Sequence, residues 1–124
     1  MNIRIYYEDT DCGGIVYHAN YLKFCERARS EVFFKQNQSP QSLEGGFVVR
    51  SMHANFHKSA FLGDLIHVKT KVLEIKKVSL LLHQEVFRDD ELLFEMEVKL
   101  GFVDFKKGKP SAIPEKIMEV LCKL

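Results

Sequence analysis

The residues that could do chemistry are concentrated in one run, Tyr6-Tyr7-Glu8-Asp9-Thr10-Asp11-Cys12-Gly13-Gly14-Ile15-Val16-Tyr17-His18-Ala19-Asn20-Tyr21. It is an acidic loop, a glycine pair, a short apolar stretch and then the start of a helical periodicity. The glycines let the chain bend tightly and approach a ligand closely. A helix start presents unpaired backbone N–H groups carrying partial positive charge. Such donors suit a carbonyl oxygen that becomes negative during acyl transfer. A carboxylate of the acidic loop held nearby could activate water or attack directly. The bland alternatives stand beside this: Asp11 as a turn or capping residue, and His18 as a first-turn residue packed on a neighbour.

Other reactive residue types form no comparable group. His53 and His57 would make a metal pair on a helix. On a strand they lie roughly 13 Å apart, too far for one zinc ion. With His67 and His83 they read as ordinary strand residues, and no metal or cofactor is expected. Cys12 adjoins Asp11 but has no partner base beside it. No G-x-S-x-G turn is present, which argues against an α/β-hydrolase esterase. Lys106, Lys107 and Lys109 make a basic turn too short to argue for nucleic acid.

The elements that must position the run follow from periodicity. Ile3 to Tyr7 is β-prone. From Ala19 to Gln36, Tyr21, Cys25, Ala28 and Val32 fall at helical spacing, and the helix should fade before Pro40. Phe47 to His57 reads as a strand with Val48, Met52, Ala54 and Phe56 on one face and Arg50 as an exception. Leu65 to Ile75 is a second strand, with Ile66, Val68, Thr70 and Val72 on one side. Val78 to Phe87 is apolar enough to be central. Leu92 to Phe102 gives the cleanest alternation. Lys106 to Pro110 breaks it. Pro114 suits a first helical position ahead of Ile117, Met118, Val120, Leu121 and Leu124. Short turns between consecutive strands favour an antiparallel sheet with one long helix packed on it, an α+β layer structure. One helix covers only part of such a sheet, so a second copy is expected to cover the rest.

At 124 residues, one domain spanning 1–124 is expected. Eighteen basic residues against 17 acidic ones leave a net charge of +1, which argues against a nucleic-acid partner. No apolar run approaches the ~20 residues that span a bilayer. Nothing at the N-terminus reads as a signal peptide. Cys12, Cys25 and Cys122 are odd in number and lack C-x-x-C spacing, which fits a reducing, cytoplasmic setting.

The run through Arg4-Ile5-Tyr6-Tyr7-Glu8-Asp9-Thr10-Asp11 and on to Tyr21-Leu22-Lys23-Phe24-Cys25-Glu26-Arg27-Ala28-Arg29 resembles the signature of the hotdog-fold acyl-CoA thioesterases, the 4-hydroxybenzoyl-CoA thioesterase and YbgC-type group. Glu8-Asp9-Thr10-Asp11 followed by Tyr17-His18 is nearest the YbgC type. The resemblance implies a five-stranded antiparallel sheet wrapped around the long helix, followed by a short C-terminal helix. It implies homodimers with joined sheets, paired into homotetramers, and active sites between subunits. Asp11 matches the catalytic carboxylate, and His18 the helix-start donor through its backbone N–H, with its side chain a candidate for orienting the thioester or water. Tyr17 is a candidate substrate contact. Lys76, Lys77 and Ser79 match positions that hold coenzyme A phosphates, while Val78 stands where that enzyme has a further basic residue.

What this implies is hydrolysis of an acyl-CoA to a free carboxylic acid and coenzyme A, in the context of envelope lipid metabolism. Two rival readings are carried with it. A hotdog hydratase or dehydratase would leave the thioester intact. An interaction protein would bind acyl carrier protein or a lipid-synthesis complex with little turnover.

Overall fold

The computed structural model describes residues 1–124. Its first strand is shorter than the β-prone run suggests. β1 covers Asn2–Arg4, and Tyr7–Asp9 forms a 3-10 turn instead of continuing it. The cause is local. Asp9 folds back so that its Oδ2 accepts the Tyr6 N–H at 2.9 Å, which curls the chain away from the sheet.

Helix α1, Asn20–Phe34, buries Tyr21, Phe24, Cys25, Ala28 and Phe33. These fall at spacings of three, four and five, one stripe of an amphipathic helix. The helix stops where Asn37 adopts a left-handed conformation, φ 55°, and the Gln38 N–H turns back to the Phe33 carbonyl at 3.0 Å. The remaining elements are β2 (Gly45–Phe56), β3 (Leu65–Ile75), β4 (Ser79–Arg88), β5 (Glu91–Asp104), β6 (Lys109–Pro110) and α2 (Glu115–Leu121). The turn that holds Lys106 and Lys107 therefore makes a small hairpin, with β6 returning along β5. Pro114 sits just before α2 and not within its first turn.

The sheet is antiparallel throughout, in the order β1-β3-β4-β5-β2, with β4 central as its apolar run implies. It curls round α1, as the resemblance implies, and its inner face carries Ile66, Val68, Leu80, Leu82, Val86, Phe94, Met96, Val98, Leu100 and Phe102. Arg50 is more than an exception in β2. A bulge between Val49 and Ser51 makes the Cα partners Val49↔Leu100 and Met52↔Val98. The extra residue reverses the alternation, so Phe47 and Val49 face inward, and Val48, paired with Gly101, faces out. Arg50 lies over Gly101 on that outer face; a Cβ there would meet its stem at 3.2 Å.

One polar side chain is wholly enclosed beneath α1. Gln84 on β4 is 0% exposed. Its Nε2 donates to the Cys25 carbonyl at 2.8 Å and to Thr70 Oγ1 at 3.0 Å, which fixes its Oε1 toward Arg29 Nη1 at 3.3 Å. A buried amide so tied registers helix against sheet, because sliding either one breaks several bonds at once. Gln84→Leu fills similar space but removes those partners. It should lower the unfolding free energy in urea by about 1–3 kcal/mol. A loss below about 0.5 kcal/mol, the size of an ordinary surface change, would show that the amide is dispensable.

Candidate active site

The loop before α1 is a miniature hairpin. Thr10 bridges Val16, the Asp11 N–H donates to the Ile15 carbonyl at 2.9 Å, and the Gly14 N–H donates to the Asp11 carbonyl at 3.1 Å. Gly14 sits at φ 81°, a conformation that favours glycine. At the tip, Asp11 is exposed, and its Oδ1 accepts the Gly13 N–H at 2.8 Å. One carboxylate oxygen is thus held by the turn, and Oδ2 has no partner in the chain. The other strand of the hairpin runs directly into the helix.

That junction is fixed by Asp9. Its side chain is only 5% exposed, and its Oδ1 accepts the Nδ2 proton of Asn20, the first residue of α1, at 3.1 Å. Its backbone carbonyl accepts the Tyr17 N–H at 2.9 Å. A second tie comes from Tyr21, whose hydroxyl accepts the Ala60 N–H at 3.0 Å, while the Ala60 carbonyl accepts the Val16 N–H at 2.9 Å. Burial pushes the Tyr21 hydroxyl above its ordinary pKa, with the Ala60 bond opposing.

The helix start itself is open. No side chain caps it. The N–H groups of His18 and Ala19 donate to nothing in the chain. They are the orphan donors of a first turn, and they keep the partial positive charge of the helix end. The His18 ring lies 4.5 Å from that of Tyr17 and meets Phe56 edge-on at 6.3 Å. Tyr21, Phe56 and Phe94 form an aromatic floor beneath, with Tyr21 and Phe94 stacked at 5.1 Å. A free carboxylate oxygen, free amide donors and an apolar floor at one end of a sheet are the parts needed to polarise and attack a carbonyl.

The other sequence candidates lie elsewhere. Lys76, Lys77 and Ser79 occupy the β3–β4 turn, where the Lys76 N–H donates to the Ser79 carbonyl at 2.8 Å. Lys76 and Ser79 share a shallow cleft of about 110 Å³ with Lys99 and Glu74, and Lys77 is outside its lining. The hairpin adjoins the other end of β3, through the bridge from Ile15 to Phe61. Eleven residues of strand separate the ends, roughly 33 Å. Within one chain, Tyr17 and His18 are in ring contact and Asp11 lies at the tip of the hairpin that leads to them, while the turn of Lys76, Lys77 and Ser79 is a strand's length away.

Sequence reasoning missed Asp9, Asn20 and Lys99. Asp9 and Asn20 could have been suspected as a pair, being polar residues that flank the hairpin where it meets an apolar helix face. Nothing short of the strand register reveals that Lys99, paired across the ladder with Leu81, stands beside Ser79.

A family model for the thioesterase-like superfamily matches residues 6–121. Over 98% of both chains, the sequence is 47% identical to the acyl-CoA thioesterase YbgC of Helicobacter pylori. It is 41% identical to the acyl-CoA thioesterase YbgC of Haemophilus influenzae, covering 93% of this chain and 88% of that one. The crystal structure of a probable thioesterase from Bartonella henselae superposes with a TM-score of 0.84 at 29% identity, covering 92% of this chain and 97% of that one.

The Asp9 junction makes its own prediction. Asp9→Ala strands the Tyr6 N–H and the Asn20 amide, and should cost about 1–3 kcal/mol in thermal or urea unfolding. Amide exchange at Tyr6 and Tyr17 should quicken before that of the β4 core. Unchanged exchange at both would show that Asp9 does not hold the junction.

Proposed function

Because the chain belongs to the thioesterase-like superfamily, we propose that it hydrolyses acyl-CoA thioesters to free carboxylic acids and coenzyme A, with Asp11 as the reacting carboxylate. The observation that carries this reading is the uncapped start of α1, whose free His18 and Ala19 N–H groups follow directly on the hairpin that holds Asp11. The thioester carbonyl sits against those donors, which are aimed where negative charge develops. One such donor is typically worth about 10²–10³ in rate. Tyr17 and the side chain of His18 border the same approach and orient the acyl group or water.

Asp11 works in one of two ways. As a base it takes a proton from water, which adds to the carbonyl, and the coenzyme A thiolate leaves. As a nucleophile it forms a mixed anhydride, releases the thiolate, and is freed when water cleaves the anhydride. A single turnover in ¹⁸O-water separates the base route from a nucleophilic route in which water opens the anhydride at the Asp11 carbonyl: the first puts the label into the released acid, the second into Asp11 with the acid unlabelled.

The site is proposed to lie between two copies. β2 pairs with β5 alone, leaving twelve residues of edge open beside exposed Val48, Val49, Met52 and Phe56. A second copy along this edge extends the sheet and covers those side chains, and two such dimers make the proposed tetramer. Lys76, Ser79 and Lys99, with Lys77 at their margin, would then serve the phosphates of coenzyme A held at the hairpin of a different copy, since their own hairpin is a strand's length away. No helix is long and apolar enough to cross a membrane. The cytoplasm, a reducing compartment, suits the free thiols of Cys12, Cys25 and Cys122.

Asp11→Asn should lower kcat for thiol release by about 10²–10⁴ while leaving the unfolding transition in place. Activity within about threefold of the parent would end this assignment of Asp11. Running the assay with acyl-CoA and acyl carrier protein thioesters side by side tests the carrier as an alternative donor. Met52→Lys, a charge on the inner face of the open edge, should shift the solution mass to that of one chain and reduce activity with it. An active monomer would contradict the shared site.

A further inference from the structure

A cleft of about 310 Å³ opens between the C-terminal half of α1, the inner face of the sheet and α2, away from the hairpin. Eight of its thirteen lining residues are apolar, among them Phe33, Phe47, Leu82, Leu100 and Leu121, so an apolar ligand body is favoured inside. Its one basic residue is Arg29, eleven residues beyond His18 and roughly 16 Å along the helix. Of five guanidinium protons, one is used, in the 3.3 Å bond to the enclosed Gln84 amide. No carboxylate of the chain forms an ion pair with it. Glu26, one turn earlier, lies at the exposed rim, and its Oε1 accepts the Ser30 hydroxyl instead. Burial pulls the Arg29 pKa below the ordinary arginine value, with Glu26 and Cys25 opposing. A desolvated, under-paired guanidinium costs stability unless an anion completes it.

We propose that this cleft is a binding site for a small carboxylate-headed amphiphile, a medium-chain carboxylic acid whose head pairs with Arg29 and whose tail lies among Phe33, Leu82, Leu100 and Leu121. The size supports that class. At roughly 30 Å³ per water-sized group the cleft holds about ten heavy atoms, the count of an eight-carbon acid. A planar guanidinium takes a carboxylate by two parallel bonds, and the Gln84 amide, itself tied to Cys25 and Thr70, fixes its orientation. The assignment stands on the cleft alone. Such an acid is also what thioester hydrolysis releases, which would give the proposed reaction a second place where its product is held.

The test is equilibrium binding of octanoate and of octanol to the whole protein, followed by NMR or calorimetric titration without turnover. Octanoate should bind once per chain, at least tenfold more tightly than octanol, and Arg29→Gln should weaken octanoate at least tenfold while leaving octanol unchanged. That factor corresponds to about 1.4 kcal/mol, the low end of a charge-assisted bond. Arg29→Lys, which keeps the charge, should bind octanoate better than Arg29→Gln. The wild-type comparison of acid with alcohol decides the matter even if neither variant folds. Equal binding of acid and alcohol, no binding of octanoate, or unchanged affinity in Arg29→Gln would overturn the site. So would an Arg29→Gln protein that merely changes its oligomeric mass with octanoate affinity intact, since the guanidinium would then belong to an interface. The hydrolytic reading of Asp11 survives any of these results.

Discussion

The buried contact between the Asp9 carboxylate and the Asn20 amide is the constraint on which the candidate site depends. It joins a short hairpin, which has little core of its own, to the one long helix. Without it, the Asp11 tip and the open start of α1 would be neighbours in sequence and independent in space. The contact also explains why the helix start is free to act. Polar side chains near a helix start usually cap it. Here Asp9 spends its oxygens on Asn20 and on Tyr6, at the base of the turn, and the His18 and Ala19 N–H groups keep theirs available. Tyr21 and Ala60 close the same junction from the sheet side. Rigidity is thus supplied from behind the site, by groups that need not touch a substrate.

Much of this was legible in the residues. The alternation from Phe94 to Phe102 placed the inner face of β5 correctly because one side of that strand is fully covered, and coverage is what period-2 patterning encodes. Leu92 was misplaced, since a register shift opposite Val86 and Phe87 pairs it with Phe87 and puts Leu93 in the core instead. The helix was legible for the same reason. β2 was not. Its pattern crosses a bulge, and a single extra residue at Arg50 exchanges the two faces upstream, so Val48 reads as inward when it points out. The intrusive arginine was the visible sign of that bulge, misread as an isolated exception. The end of β1 was lost to a side chain, since β propensity cannot anticipate that Asp9 will turn back onto the Tyr6 amide.

The site divides along the same line. Asp11, Tyr17 and His18 lie within eight residues, on one short hairpin and its exit into the helix. The turn of Lys76 and Lys77 is tied to the site by the family resemblance alone, as a proposal, and the length of β3 keeps it apart from its own hairpin. Lys99 enters the neighbourhood of Ser79 through a cross-strand register, which no local pattern records. Residues joined by adjacency are readable from sequence; residues joined by sheet register or by a second copy are not.

An open strand edge normally carries protection: lysines, a proline, an inward charge or a short length. β2 has few of these. It runs twelve residues, contains no proline, and has Arg50 as its only Lys, Arg, Asp or Glu, held over Gly101 on the outer face. Its bulge bends the strand without shielding the residues beyond it, and Met52 and Phe56 remain exposed on the inner side. At the far side of the sheet, β1 is three residues long and pairs only with Leu65, Ile66 and His67, so the rest of β3 is also an edge, but one that carries Lys69, Lys71 and Glu74. The asymmetry is informative, because one border is blunted and the other is left long, apolar and nearly uncharged. A chain under pressure to stay single would protect both. Leaving β2 bare argues for self-pairing along that edge. Such a pairing would set the inner-face aromatics under His18 beside a second copy, where a hairpin that forms only half a pocket would find its other wall.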